Sequence, residues 1–162
     1  MRKIQFTGYG VELPRNKVDF DGQTRYRISG EEKQISLAVS ACEKALENAN
    51  ITVNDIDCIV SASAVGIQPI PCMAALIHEK IAKGTSIPAL DINTTCTSFM
   101  TALDTMSYLL EAGRYKRILI FSCDVASRAL NPKQKESFQL FSDGAVAFII
   151  EKTDKEIGVI DA

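Results

Sequence analysis

The chain has 162 residues, of which 46% are apolar and 23% charged, and its formal charge at pH 7 is −2. A chain of this length can bury one core, so we expect one folded domain. Its 18 basic and 20 acidic residues are interspersed. This pattern offers no charged surface for phosphate backbones or anionic lipids, so neither nucleic acid nor a membrane is an expected partner. No apolar run approaches the ~20 residues that cross a bilayer, and no signal peptide is evident, so we expect a cytoplasmic protein.

The cysteines argue against a disulfide framework and against a metal site. They are odd in number and widely spaced, and they comprise Cys42, Cys58, Cys72, Cys96 and Cys123. We therefore expect reduced thiols. His78 is the only histidine, so a metal would need a thiolate-rich site that this spacing does not suggest, and we expect none.

Hydrophobic periodicity predicts alternating strands and helices in the first half of the chain. In chain order these are a strand over residues 3–13, a polar loop over 19–30, a helix over 31–50, a strand over 58–64 and a helix over 72–83. Gly8 and Gly10 in the first strand predict a close approach of another backbone. Gly84 follows the second helix at a position where helices are commonly closed.

In the second half, residues 88–96 are predicted to form a strand that turns into a helix, with Thr94 and Thr95 capping its first N–H groups. The following helix, 97–112, carries only two charged residues, Asp104 and Glu111, and is expected to be buried on nearly all sides. A strand over 118–123, a loop over 127–142, a strand over 145–151 and the start of another at 158–161 complete the chain. Strands alternating with helices favour an α/β sheet with parallel crossovers.

Cys96 lies where the predicted strand meets the apolar helix. A thiol at a helix N-terminus meets the positive end of the helix dipole, which favours its nucleophilic form. The same N–H groups can stabilise the oxyanion that forms when a thioester carbonyl is attacked, so the position suits acyl transfer. The alternative interpretation is a small buried core residue, which is the usual place of a free cysteine and the one we assign to the other four.

The sequence around Cys96 resembles one family. Asp91-Ile-Asn-Thr-Thr-Cys-Thr-Ser-Phe99, an apolar helix, Gly113-Arg-Tyr-Lys-Arg117, a buried strand and Phe141-Ser-Asp-Gly144 follow in the order typical of 3-oxoacyl-(acyl carrier protein) synthase III. Residues 8–14, 25–28 and 69–74 also match in family order. The resemblance implies a thiolase-like α/β fold, with residues 1–162 as its N-terminal half and the C-terminal half absent from this chain. We expect a five-stranded mixed sheet, with the first two helices on one face and the 97–112 helix on the other.

The resemblance also implies a mechanism. Cys96 would take an acyl group from acyl-CoA, and a malonyl group on acyl carrier protein would lose carbon dioxide and attack the acyl-cysteine. A histidine and an asparagine of the missing half would assist. Coenzyme A enters as the substrate thioester and no permanently bound cofactor is expected. Arg25 would meet the coenzyme A phosphates and Ile70 would close the acyl pocket of a dimer partner, in a homodimer joined through strand 118–123.

This sequence departs from the family pattern at several positions. Ser98 stands where glycine usually lies two residues past the cysteine, and Ser142 stands where glycine usually precedes Asp-Gly. The N-terminal loop is shorter, and the chain has no tryptophan, so the aromatic side chain that stacks on the adenine of coenzyme A is missing. Three alternatives stay open: a starter-unit acyltransferase, a relative of 3-hydroxy-3-methylglutaryl-CoA synthase or thiolase, and a non-catalytic half-length scaffold or partner subunit.

Overall fold

The structure is a computed structural model that describes residues 1–160. Its seven strands are β1 (Ile4–Glu12), β2 (Asn16–Phe20), β3 (Gln23–Arg27), β4 (Cys58–Ser61), β5 (Ala89–Asp91), β6 (Arg117–Asp124) and β7 (Gly144–Lys152). Its α-helices are α1 (Gln34–Asn48), α2 (Met73–Ile81), α3 (Ser98–Glu111) and α4 (Lys135–Leu140). Short 3₁₀ turns cover Val53–Asp55 and Thr95–Thr97. None of the helices in residues 1–160 is long and apolar enough to cross a membrane.

Five strands form one mixed sheet, as predicted, and their order is β1-β7-β6-β4-β5. β4 runs parallel to both β5 and β6, whereas β7 runs antiparallel to both β6 and β1. All four residues of β4 are buried, and so are most residues of β6. This burial on both faces explains their nearly uncharged sequences.

The helices cover the two faces of the sheet in the predicted arrangement. α1 and α2 pack on one face, where Ala41, Ile77 and Phe121 belong to one hydrophobic cluster. α3 packs on the other face, where Met106 and Ile120 belong to a second cluster. This three-layer arrangement is the predicted thiolase-like architecture, and it places the carboxyl ends of β4, β5 and β6 at one edge of the sheet.

The two glycines of β1 permit α1 to lie directly against the strand, as their positions predicted. A Cβ added to Gly10 would overlap the carbonyl oxygen of Ala41 and lie 2.7 Å from the amide nitrogen of Ala45. A Cβ added to Gly8 would likewise overlap the carbonyl oxygen of Ala45. Any side chain at these positions would therefore push the helix away from the sheet.

Three sequence-based expectations about local structure are wrong. The polar segment 19–30 contributes to a two-stranded antiparallel hairpin, β2–β3, instead of forming a loop. Its side chains are mostly exposed on both faces, so it lacks the apolar alternation that marks a strand. α4 forms inside the predicted loop 127–142.

The strand expected to form the dimer contact, 118–123, is paired on both sides by β4 and β7, so it has no free edge with which to pair with a partner.

The burial of α3 and the end of the chain also differ from expectation. α3 is buried on one side only, through Ala102, Met106 and Leu110, whereas Met100 is 65% exposed and Tyr108 is 54% exposed. The strand expected to start over residues 158–161 is not among the strands of residues 1–160. Val159 forms only an isolated antiparallel bridge with Arg2, and position 161 lies outside the described residues.

Replacing Gly10 with alanine is expected to destabilise the protein by about 1–3 kcal/mol, because the new methyl group overpacks the contact between β1 and α1. Gly66→Ala is the matched control, since a Cβ there comes no closer than 3.7 Å to the Gln68 carbonyl oxygen. That change should alter stability by less than about 1 kcal/mol. Urea midpoints of the full-length protein and both variants measure the difference. Equal urea midpoints for Gly10→Ala and Gly66→Ala would contradict the close contact between β1 and α1 at Gly10.

Candidate active site at the Cys96 turn

Cys96 is the exposed cysteine of the chain. It lies in the short turn Thr95–Thr97, between the end of β5 and the first residue of α3. By contrast, Cys42, Cys58 and Cys123 are buried, as the core interpretation predicted, and Cys72 is half-buried at the start of α2.

Burial also makes three of the other cysteines poor nucleophiles. Removal from water raises the pKa of the Cys58 thiol to about 11 and that of Cys123 to about 12. The same cause raises the pKa of Cys42 further still. Because the thiolate is the reacting form of cysteine, these three thiols are unreactive near neutral pH.

The turn that carries Cys96 has an unusual backbone. Thr95 has φ of +57°, in the left-handed region that β-branched residues rarely adopt. Two side chains bind its backbone, one from a residue before it in the chain and one from a residue after it. The Asn93 side-chain oxygen accepts the Thr95 N–H at 2.9 Å, and the Ser98 hydroxyl donates to the Thr95 carbonyl at 2.6 Å. These bonds hold the conformation from which Cys96 projects to the surface.

The capping prediction for Thr94 and Thr95 is wrong. Thr94 Oγ1 instead contacts the hydroxyls of Thr97 and Thr101, at 3.1 and 2.9 Å. Thr95 Oγ1 donates to the Thr94 carbonyl at 2.7 Å. The Thr95 N–H is instead accepted by the Asn93 side chain, and the Thr94 N–H by the Ser98 hydroxyl. Both residues belong to the motif around Cys96, but the sequence did not indicate this role for them.

Asp91 fixes the start of the same loop. Its two carboxylate oxygens accept the N–H groups of Met73 at 2.9 Å and Ala74 at 2.8 Å, at the first turn of α2. A carboxylate at a helix N-terminus satisfies free N–H groups and complements the helix dipole. Asp91 therefore joins the end of β5 to α2 immediately before the turn that carries Cys96.

The structure brings the loop of Ile70 close to that of Cys96. Asn93, which orients Thr95, also donates from its side-chain nitrogen to the Ala64 carbonyl at 3.1 Å, in the loop that follows β4. Ile70 lies further along this loop and is 87% exposed. Its assigned role in a partner's acyl pocket stays a prediction.

Arg25 lies on β3, and its hydrogen bonds connect the hairpin to α4 instead of to the Cys96 turn. Its guanidinium donates to the Leu140 carbonyl at 2.9 Å, the Thr24 carbonyl at 3.0 Å and the Gln23 side chain at 2.7 Å. These bonds use three of the five guanidinium N–H groups. The proposed contact of Arg25 with coenzyme A phosphates stays a prediction.

Arg27, the other arginine of this strand, is buried. Its guanidinium lies over the rings of Phe138, at 4.0 Å, and Phe20, at 4.8 Å, and it donates to the Phe138 carbonyl. It helps to hold α4 against the hairpin, and its burial prevents it from meeting a phosphate at the surface.

Asp143 is a structural residue that sequence reasoning recognised only as part of a family motif. It is 1% exposed, and its carboxylate accepts hydrogen bonds from Ile28 N at 2.9 Å, Ser127 N at 3.0 Å and Ser127 Oγ at 2.5 Å. The Ser142 hydroxyl accepts the Tyr26 N–H at 2.7 Å, which gives this departure from glycine a structural role. The turn at 142–144 thus anchors the hairpin.

A surface depression of about 520 Å³ lies beside the start of α1. Its lining includes Gln34, Val65, Ile67 and Arg128, but not Cys96. Among residues 1–160, no group of three or more histidine, cysteine or acidic side chains could hold a metal ion. The exposed Cys96 turn lies outside the depression beside α1.

Comparison with known proteins finds the same family that the sequence resembles. The family model for 3-oxoacyl-[acyl-carrier-protein] synthase III matches residues 90–162, which include the Cys96 turn. The beta-ketoacyl-[acyl-carrier-protein] synthase III of Clostridium perfringens is 31% identical, over 98% of this chain and 54% of that protein. That of Bartonella henselae is 36% identical, over 83% of this chain and 41% of that protein.

The chain is related to the 3-oxoacyl-(acyl carrier protein) synthase III family. It spans about half the length of the curated relatives it matches. Solved structures confirm the thiolase-like fold. The 3-oxoacyl-[acyl-carrier-protein] synthase III of Aquifex aeolicus aligns with a TM-score of 0.88 and 24% identity, over 94% of this chain and 55% of that one. A priming β-ketosynthase of the R1128 polyketide pathway aligns with a TM-score of 0.85 and 21% identity, over 95% of this chain and 51% of that one.

Alkylation should distinguish the five thiols. In native protein near pH 8, we expect iodoacetamide to modify Cys96 first and the half-buried Cys72 more slowly. Cys42, Cys58 and Cys123 should react only after denaturation, because burial shields them and raises their pKa. Peptide mass spectrometry over time measures the order, and Cys96→Ser is the control that should remove the first phase. Early labelling of a buried cysteine would contradict the assignment.

Proposed function

We propose that the full-length protein catalyses decarboxylating condensation of an acyl-CoA starter with malonyl-acyl carrier protein, and that Cys96 is its acyl-accepting nucleophile. The observation that carries the proposal is the placement of Cys96, exposed on a held turn at the start of α3. The relationship to 3-oxoacyl-(acyl carrier protein) synthase III supports the same chemistry. The partners are therefore acyl-CoA and acyl carrier protein, and coenzyme A is the carrier of the substrate.

The first half-reaction follows from this placement. The Cys96 thiolate attacks the thioester carbonyl, and the tetrahedral intermediate collapses with departure of coenzyme A as its thiolate, which leaves an acyl-cysteine. The N-terminal end of α3 carries the positive end of the helix dipole, which favours the negative charge that develops on the carbonyl oxygen. Burial of three other thiols leaves Cys96 and Cys72 as the cysteines that a substrate could reach.

The second half-reaction needs groups from beyond these residues. The malonyl group loses carbon dioxide, and the resulting carbanion attacks the acyl-cysteine carbonyl and releases the Cys96 thiolate. No histidine follows Cys96 in this chain. His78 lies in α2, where its Nε2 is 3.2 Å from the Thr85 hydroxyl, so it has a structural contact and is not assigned to catalysis. By resemblance, we assign stabilisation of the carbanion to a histidine and an asparagine outside residues 1–162.

A second candidate is acyl transfer without decarboxylation, as in a starter-unit acyltransferase or a relative of thiolase. Two observations favour it: the β2–β3 hairpin and its bonds to α4 occupy the segment where the family resemblance implies coenzyme A contacts, and the chain has no tryptophan. This altered segment bears on the identity of the acyl donor. It does not change the role of Cys96.

Incubation of the full-length protein with short acyl-CoA thioesters should add one acyl mass to the peptide that contains Cys96. Cys96→Ala should abolish the adduct, because the attacking sulfur is lost. Cys72→Ala is the matched control, and it should leave the adduct unchanged. Absence of any Cys96 adduct with donors of every chain length tried would falsify the proposed nucleophile and favour a scaffold or partner subunit.

Addition of malonyl-acyl carrier protein to the acylated enzyme separates the two enzymatic candidates. Condensation should release carbon dioxide and a 3-oxoacyl product in equal amounts, with loss of the acyl group from Cys96. Transfer of the acyl group to the free thiol of added holo-acyl carrier protein, with no carbon dioxide released from malonyl-acyl carrier protein, would support the acyltransferase instead.

A further inference from the structure

The first residue of α3, Ser98, is only 2% exposed, although serine is usually found at the surface. Its hydroxyl accepts the Thr94 N–H at 3.0 Å and donates to the Thr95 carbonyl at 2.6 Å. The Ser98 side chain thus binds the backbone of both residues that precede Cys96, through the N–H of Thr94 and the carbonyl of Thr95. Loss of this hydroxyl would leave the Thr94 N–H without its acceptor, and the Thr95 carbonyl would keep only the backbone N–H of Ser98.

Thr95 needs such support because its backbone is strained. A β-branched residue at φ of +57° is unfavourable and persists only where surrounding contacts enforce it. Asn93 supplies one contact from the upstream side, through the Thr95 N–H. Ser98 supplies the contacts from the downstream side, so Cys96 lies between the two residues that hold the turn.

We infer that Ser98 is a positioning residue for Cys96, whose hydroxyl holds the Thr94–Thr95 backbone in the conformation that aims the thiol at an acyl donor. The inference rests on the proposed function, because it assigns Ser98 to the acyl-transfer step. Ser98 acts through the backbone and does not contact substrate. Its loss should therefore slow attack by the sulfur more than it weakens binding of the donor.

The test compares Ser98→Ala with Ser107→Ala in the full-length protein. Ser107 is the matched control because it lies on the same helix, is fully buried, and donates its hydroxyl to the carbonyl three residues earlier, that of Asp104, at 2.6 Å. We expect Ser98→Ala to lower the single-turnover rate constant for acylation of Cys96 about tenfold or more, since small misplacements of reacting groups have effects of this size. The donor concentration for half-maximal rate should change by less than about twofold. Ser107→Ala should leave both values near those of the unmodified protein.

Ser98→Thr retains the hydroxyl and is the conservative variant. It should acylate faster than Ser98→Ala, and equal or slower acylation would overturn the inference, since the hydroxyl would then not be the determinant. A wild-type rate in Ser98→Ala, or an equal loss in Ser107→Ala, would also overturn it. If Ser98→Ala does not fold, Ser98→Gly replaces it, because glycine also removes the hydroxyl.

Hydrogen exchange at Thr94 separates failure of this inference from failure of the proposed function. Ser98→Ala should speed exchange of the Thr94 amide, whose acceptor is removed, whereas Ser107→Ala should not. If the unmodified protein forms no acyl-Cys96, the proposed function fails, and unchanged Thr94 exchange in Ser98→Ala would then reject positioning as well. If acylation occurs but is insensitive to Ser98, only the present inference fails.

Discussion

The burial of β4 and β6 on both faces is the constraint from which the rest of the structure follows. Neither strand can face water, so helices must cover the sheet on each side, and α1 and α2 take one face while α3 takes the other. Because β4, β5 and β6 are parallel, their carboxyl ends meet at one edge. The chain returns from that edge through loops, and the loop after β5 is the one that carries Cys96.

Stability and chemistry make opposite demands on this loop. The nucleophile that we propose must be accessible, so the turn cannot be held by burial of Cys96 itself. The backbone is held instead by the neighbours of the cysteine, with Asp91 bound to α2, Asn93 bound to the loop after β4, and Ser98 buried at the start of α3. The Cys96 side chain is left exposed at the surface. This division of roles is typical of sites in which strain is held by surrounding packing.

The sequence predicted those features whose cause is local or periodic. The apolar pattern of α1 and the uncharged run of β4 identified their elements, and Gly8 and Gly10 identified the close approach of α1. The hairpin was missed because its exposed strands lack apolar alternation. The role of Asp143 was missed because its partner Ile28 is 115 residues distant in the chain. At the Cys96 turn, threonine, asparagine and serine side chains can all accept a hydrogen bond from a backbone N–H, so only the structure reveals which of them does.

Exposed apolar side chains form a surface on the α3 face of the sheet that reaches the first turn of α3. Strand alternation turns Tyr9 and Val11 away from α1, toward the face that carries α3, and they are 59% and 47% exposed. On that face Phe6, Phe148 and Phe99 form a row of contacting rings that reaches α3. Within residues 1–160 nothing covers the outer part of this surface, and the chain spans about half the length of its relatives. Phe99 is three residues from Cys96 in the chain, so a partner that covered these rings would also approach the Cys96 turn. The stability of the fold and the completeness of the site would then depend on the same contact.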